Sequence, residues 1–198
     1  MEHNGLLVVI SGPAGAGKGT VVGELIKDDN VEVSVSATTR APRGTEKDGV
    51  EYHFLTREQF QQMIKQDGFL EYAEYVGNYY GSPKKQAELW MAQGKDVILE
   101  IEVQGCKKIK ENNPECISIF IMPPSMEVLE HRLRKRATDS EESILKRLSR
   151  AREEIRLARD YDYIIVNDGL SECIADVKTV LKAEKLRADR FDVSEMLS

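Results

Sequence analysis

The chain has 198 residues, 41% of them hydrophobic, and can bury one substantial core without disulfide or metal staples. A net charge of −6 and a pI near 5.3 exclude a protein whose main task is to coat nucleic acid, so any anion binding must rest on locally concentrated cations. The three cysteines, Cys106, Cys116 and Cys173, are far apart and odd in number, which excludes a disulfide framework or zinc site and points to small buried or helix-surface residues in a reducing compartment.

The first element is the apolar, β-branched run Leu6-Leu7-Val8-Val9-Ile10, which reads as a buried parallel strand. Directly after it come Gly12, Pro13, Ala14, Gly15, Ala16, Gly17, Lys18, Gly19 and Thr20, which open a helix-like stretch running to Lys27. A glycine-rich turn at a strand-to-helix junction aims consecutive backbone N–H groups into one concavity. The helix adds the positive end of its dipole, and the lysine reaches the terminal phosphates. These nine residues are therefore assigned to the phosphates of a nucleoside triphosphate. The hydroxyl of the motif comes one place late, at Thr20.

Further apolar runs at Val31 to Val35, Val97 to Ile101, Ile117 to Ile121 and Tyr163 to Val166, separated by helix-length segments, predict an α/β fold with a parallel sheet and crossover helices. Gly94 closes the helix-like Pro83 to Gln93, Pro114 ends the segment after Gly105, and Ser125 caps the helix that follows Pro123-Pro124. Residues 37–93 differ in composition. They hold most of the aromatics, short strand-like pieces and a helix opened by the capping-box pair Thr56 and Gln59, and they read as an inserted subdomain. The core domain is then 1–36 with 94–187, followed by a polar tail at 188–198. The cationic cluster Arg132-Leu133-Arg134-Lys135-Arg136, in a stretch of about 132–142 that interrupts two helices, reads as a short lid.

The loop GPAGAGKGT, the segment Val33-Ser34-Val35-Ser36-Ala37-Thr38-Thr39-Arg40-Ala41-Pro42-Arg43, the piece Glu51-Tyr52-His53-Phe54, the run Gly77-Asn78-Tyr79-Tyr80-Gly81-Ser82 and the closing Ile165-Val166-Asn167-Asp168 resemble guanylate kinases in order and spacing, up to about residue 187. The resemblance implies a P-loop nucleoside-monophosphate kinase fold with a GMP-binding insertion and a lid. It implies transfer of the γ-phosphate of ATP, carried with Mg²⁺, to GMP or dGMP, giving ADP and GDP. The expected partners are these small molecules, with no nucleic acid and no membrane.

Phosphoryl transfer needs two phosphates held in line and their charge neutralised, so arginines should converge from several segments. Arg40 and Arg43, just past a core strand's end, form a fork for the acceptor phosphate, with Tyr52 and Tyr80 as neutral donors. By resemblance, Glu71 accepts the N1–H and N2–H₂ of guanine, an acceptor that adenine would leave buried and unpaired. Ser36 and Ser82 face the base edge. Glu100 and Glu102 read as the end of a core strand, on one face because they are two apart, at the sheet end where ligands bind. One would hold the Mg²⁺ shell or orient Arg40 and the other reach guanine; Glu100 joins Thr20 as a metal candidate and Glu102 is placed with GMP. Many family members carry aspartates there.

Arg132, Arg136 and Arg147 match positions that close over the transferring phosphates and, with Lys18 and Arg40, make the catalytic set. Arg134 and Lys135 read as solvated, and Asn167 matches a residue near the adenine of ATP. The family usually has glycines beside the second lid arginine; Lys135 and Ala137 stand there, which should stiffen the lid. The alternative is a non-catalytic guanylate-kinase-like binding module of the kind found in scaffold proteins. Such modules lack the loop lysine, so Lys18 favours the enzyme. No apolar stretch approaches about 18 residues and no signal-peptide pattern opens the chain, which leads to the expectation of a soluble cytoplasmic protein.

Overall fold

All five residues of Leu7–Ser11 (β1) are buried, as a strand covered on both faces requires. The computed structural model describes residues 4–135 and 140–190. After β1 the chain forms Lys18–Leu25 (α1), Val31–Val33 (β2), Ala37–Thr38 (β3), His53–Phe54 (β4), Arg57–Lys65 (α2), Phe69–Tyr75 (β5), Asn78–Pro83 (β6) and Lys84–Ala92 (α3). It continues through Asp96–Glu100 (β7), Val103–Asn112 (α4), Ile117–Met122 (β8), Met126–Lys135 (α5), Glu141–Arg156 (α6), Tyr163–Val166 (β9) and Leu170–Lys185 (α7).

Strands β2-β7-β1-β8-β9 form one sheet in which every pairing is parallel. Alternation along β1 splits the core: Val8 and Ile10 pack with Val21 and Leu25 of α1 and Cys173 and Val177 of α7, whereas Leu7 and Val9 pack with Ala87 of α3 and Cys106 and Ile109 of α4. Burying one such side chain contributes roughly 1.5–3 kcal/mol, so this two-sided filling carries much of the stability of the sheet. All three cysteines are buried, and burial pushes the Cys116 thiol up to about 12, so it is inert. No helix among the described residues is long and apolar enough to cross a membrane.

The strand expected over Val31 to Val35 pairs with β7 only through Val33. The reason is its edge position: β2 has a single neighbour, and once Ser34 N has donated to the Ile98 carbonyl at 2.9 Å the chain leaves that sheet. Ala37 and Thr38 then find partners on both sides in a second sheet of order β4-β3-β6-β5. This sheet has its own small core, where Phe60 stacks on Phe69 at 4.3 Å and on Tyr79 at 5.3 Å. The capping box of α2 is formed reciprocally by Thr56 and Gln59, Gly94 ends α3 in a left-handed conformation with φ 78°, and Ser125 Oγ accepts from Val128 N at 3.2 Å.

Helices α5 and α6 pack through Leu129, Leu133, Ile144, Leu148 and Ala151. Arg134 is exposed as expected, and at the surface it donates to Glu130 at 2.8 Å one turn back and to Glu141 at 2.7 Å at the start of α6. Arg136, Ala137 and the tail beyond Arg190 lie outside the described residues.

Replacing Phe60 tests the second core. Phe60→Ala should cost about 3–5 kcal/mol, read as a lower denaturation midpoint, with amide exchange accelerating first in β5 and β6.

Candidate active site

The loop after β1 passes so close to its neighbours that side chains are excluded. A Cβ on Gly12, whose φ is 144°, would lie 2.3 Å from the Ile121 carbonyl oxygen, and one on Gly17, at φ 96°, would lie 2.4 Å from the Asn167 amide nitrogen. Asn167 is buried and its amide donates to the Ala16 carbonyl at 2.8 Å, while Ala16 N donates to Pro13 O at 3.1 Å. Gly17 is the N-cap of α1 and brings no side-chain cap, and its carbonyl accepts from both Thr20 N and Val21 N at 3.1 Å, so the positive end of the helix dipole starts at the loop. Lys18 Nζ folds back onto the carbonyls of Gly12 at 2.6 Å and Pro13 at 3.3 Å.

A cavity of about 380 Å³ adjoins the loop, lined by Gly15, Gly17, Thr20, Arg132, Lys135, Asn167, Asp168 and Leu170. Arg132 is fixed there by donating to the Asn167 carbonyl at 2.9 Å. Lys135, exposed as expected, lines this cavity. Arg147 is half-buried on α6.

The second sheet gathers the other group of residues. Register places Glu71 of β5 directly opposite Ser82 of β6, and Ser82 Oγ donates to Glu71 Oε1 at 3.0 Å. Both are buried, and burial pushes the Glu71 carboxyl above its ordinary range, opposed by the Ser82 bond and the charge of Lys108. The other carboxylate oxygen sits beside Gly105 of α4, where a Cβ would be 3.4 Å away. Ser36 is half-buried just before β3, its carbonyl accepting from His53 N at 2.9 Å.

Arg40 follows β3 of the second sheet, not a strand of the parallel sheet as expected. Its guanidinium lies 5.4 Å from the Tyr52 ring centre and 5.9 Å from that of Phe54, and the Tyr52 and Tyr80 rings meet edge to face at 6.0 Å. The carboxylate that orients it is neither Glu100 nor Glu102. Glu46 takes Arg40 in a two-bond fork, each bond 3.0 Å, and also accepts from Arg43 N at 2.7 Å. The Arg43 side chain stays exposed. Sequence reasoning passed over Glu46. Its signal was Gly44, whose φ of 53° turns the chain so that Glu46 N reaches the Arg43 carbonyl at 3.0 Å.

The expectation for Glu100 and Glu102 is corrected as well. The strand β7 ends at Glu100, and Glu102 is the N-cap residue of α4, so the alternation that placed both on one face does not apply. Glu102 is paired with Arg150 of α6 at 2.5 Å, and Arg150 also binds Glu154 and lies over the Tyr75 ring. Glu100 stays at the loop: a Cβ on Gly19 would be 3.6 Å from its carboxylate. Burial raises the Glu100 carboxyl, the Lys18 charge lowers it, and Glu102 raises it.

The guanylate kinase family model matches residues 4–184. The chain is 50% identical over 196 residues to a guanylate kinase of Carboxydothermus hydrogenoformans, covering 98% of this chain and 96% of that one. It is 50% identical over 192 residues to a guanylate kinase of Desulfitobacterium hafniense, covering 96% of each. The crystal structure of guanylate kinase from Anaplasma phagocytophilum matches with a TM-score of 0.79 at 36% identity, over 99% of this chain and 94% of that chain. Likeness of this extent leaves one assignment: the chain belongs to the guanylate kinase family.

Proposed function

We propose that the protein moves the γ-phosphate of ATP to GMP, giving ADP and GDP, with ATP at the loop cavity and GMP on the second sheet, residues 37–93. The observation that carries the acceptor's identity is the buried Glu71–Ser82 pair. A desolvated carboxylate suits the adjacent N1–H and N2–H₂ donors of guanine. Adenine, with a lone pair at N1 and no amine at C2, would leave it buried and unpaired. Ser36 and Ser82 complete the base edge. Since these contacts address base and phosphate, dGMP is an acceptor too. Glu102 would have to part from Arg150 to reach the base, so the guanine reading rests on Glu71.

At the phosphates, Lys18 exchanges the carbonyls of Gly12 and Pro13 for the terminal phosphate oxygens of ATP. Arg40, Arg43, Tyr52 and Tyr80 hold the phosphate of GMP so that one of its oxygens attacks the γ-phosphorus as the bond to ADP breaks. Little covalent chemistry is asked of the protein; alignment and charge neutralisation do most of the work. Arg132, Arg147 and Arg136, the last outside the described residues, close over the transferred group from the lid. Asn167 acts by holding the loop beside the adenosine cavity.

Thr20 and Glu100 offer hard oxygens beside the loop, the donors Mg²⁺ prefers, so the residues fit that ion. Among the described residues no group of three or more His, Cys, Asp or Glu could hold a metal unaided, so the ion would arrive with ATP. When bound it neutralises charge between the phosphates. The raised carboxyl of Glu100 is a group whose ionised form a nearby cation would favour. These are small-molecule substrates of a cytoplasmic enzyme.

A coupled assay across GMP, dGMP, AMP, CMP and UMP tests the acceptor directly, and turnover should be confined to the guanine nucleotides. Lys18→Ala should keep wild-type circular dichroism and lose on the order of 10² to 10³ or more in turnover, because a preorganised cation is gone from the developing charge. Wild-type turnover in that variant would overturn the loop assignment.

Glu71→Gln should lower kcat/KM for GMP about 10- to 100-fold with the KM for ATP unchanged. The same variant carries a stability signature. In the fold the Glu71 carboxyl protonates above its ordinary 4.5, so the buried charge destabilises the protein fully above that raised value, and the effect fades as pH falls from there toward 4.5 and is absent below it. Glu71→Gln should therefore raise Tm at neutral pH, and the gain should shrink as pH falls through this window. Unchanged GMP kinetics with no pH-dependent gain would move base selection elsewhere.

A further inference from the structure

We propose that Glu46 is a positioning residue for the acceptor phosphate: it occupies one edge of the Arg40 guanidinium and so turns the other edge toward the nucleotide. The proposal rests on the reading that Arg40 holds that phosphate.

A guanidinium presents two edges that fit a pair of oxygens, the NH1/NH2 end and the Nε/NH2 side. Here NH1 donates to the Ala41 carbonyl at 2.7 Å and to Glu46 Oε2 at 3.0 Å, and NH2 donates to Glu46 Oε1 at 3.0 Å. These bonds use both hydrogens of NH1 and one of NH2. The N–H groups not used by these bonds, Nε–H and the second NH2 hydrogen, make up the side edge; Tyr80 also acts on the cation through a side-chain hydrogen bond.

The pair is partly sheltered, with side-chain exposures of 10% for Arg40 and 23% for Glu46, so it is screened less than a fully exposed pair. The rings of Tyr52 and Phe54 limit tilt of the guanidinium plane, and the carboxylate fork limits rotation within it. Glu46 is held in turn by Arg43 N at 2.7 Å and by its own N–H on the Arg43 carbonyl, across a turn that Gly44 makes at φ 53°. One carboxylate therefore fixes the Arg40 head group and the Arg43 backbone together. The Arg40 bonds, then that of Arg43 N, hold its carboxyl below the usual range, so it stays ionised at neutral pH. A fixed anion next to Arg40 weakens the field a phosphate would feel. What it supplies is order before binding, which a free arginine would have to acquire during binding.

The test measures GMP and guanosine binding by calorimetry, with steady-state kinetics, for Glu46→Gln, Glu46→Asp and Arg40→Met. Glu46→Gln keeps the shape but sets an amide donor against an arginine donor. It should weaken GMP on the order of tenfold, the effect of misaligning one charge-assisted contact, while guanosine, which has no phosphate, binds as before. KM for GMP should rise more than kcat falls, the KM for ATP should hold, and Glu46→Asp should recover part of the loss by restoring the charge. Equal weakening of GMP and guanosine would reduce Glu46 to local support of the fold and overturn the proposal. Tighter GMP binding would make it a competitor of the phosphate and overturn it as well. Arg40→Met separates the two levels: if it leaves the GMP preference over guanosine intact, the reading of Arg40 fails, whereas if it removes the preference and Glu46→Gln does not, the positioning role alone fails.

Discussion

The contact of the glycine loop with the sheet beneath it fixes the rest of the site. Gly12 lies against the Ile121 carbonyl of β8, Gly17 against the Asn167 amide after β9, and Gly15 against Leu129 and Leu133 of α5. Backbone is therefore clamped between three elements that arise far apart in the chain, and none of the contacts leaves space for a methyl group without a shift. The start of α1, the reach of Lys18 and the wall of the adjoining cavity follow from that clamp. Because α5 also carries Arg132 and packs on α6, these two helices are seated on the loop itself. A displacement of the loop would be felt at Lys18 and at Arg132.

Electrostatics impose a second constraint. The chain is acidic overall, yet the chemistry assigned to it needs cations at the phosphates and carboxylates at a base. The fold meets this by giving each carboxylate a different surrounding. Glu46 is surrounded by donors and stays ionised; Glu71 is buried against a single hydroxyl and has its ionised form disfavoured; Glu100 lies between burial and Lys18. The same chemical group thereby serves as a brace, as an acceptor short of donors, and as a neighbour of the phosphate loop. Groups held away from their preferred charge state lower the stability of the empty protein and recover that loss on meeting the complementary ligand.

Much of this was legible in the sequence because it depended on local patterns. The run Leu6 to Ile10 followed by glycines and Lys18 fixed a strand, a loop and a helix start, and Thr56 with Gln59 fixed a cap, since each signal lies within a few residues of what it controls. Errors arose where partners are distant or where geometry changes within a strand. Period-2 alternation carried past Glu100 put Glu102 on the wrong element, because the chain turns into α4 after Ile101. Arg40 was given Glu100 or Glu102 as its carboxylate, whereas the turn at Gly44 delivers Glu46 from six residues away, a pairing visible only once that turn's conformation is known.

The misread residue Glu102 also shows how the two halves of the site are joined. In the order β2-β7-β1-β8-β9, the chain departs for the second sheet from the β2 side of β1, and for the lid helices from the β8 side. Groups approaching the loop from opposite flanks need a connection if they are to act together. Arg150 provides one: rooted on α6, it reaches Glu102 at the start of α4 and the Tyr75 ring at the end of β5, the strand that carries Glu71. Helix α4 in turn presents Gly105 to the Glu71 carboxylate. The strand that carries Glu71 and helix α6 are thus joined through one side chain and helix α4, by ion pairs that at partly exposed positions are weak singly.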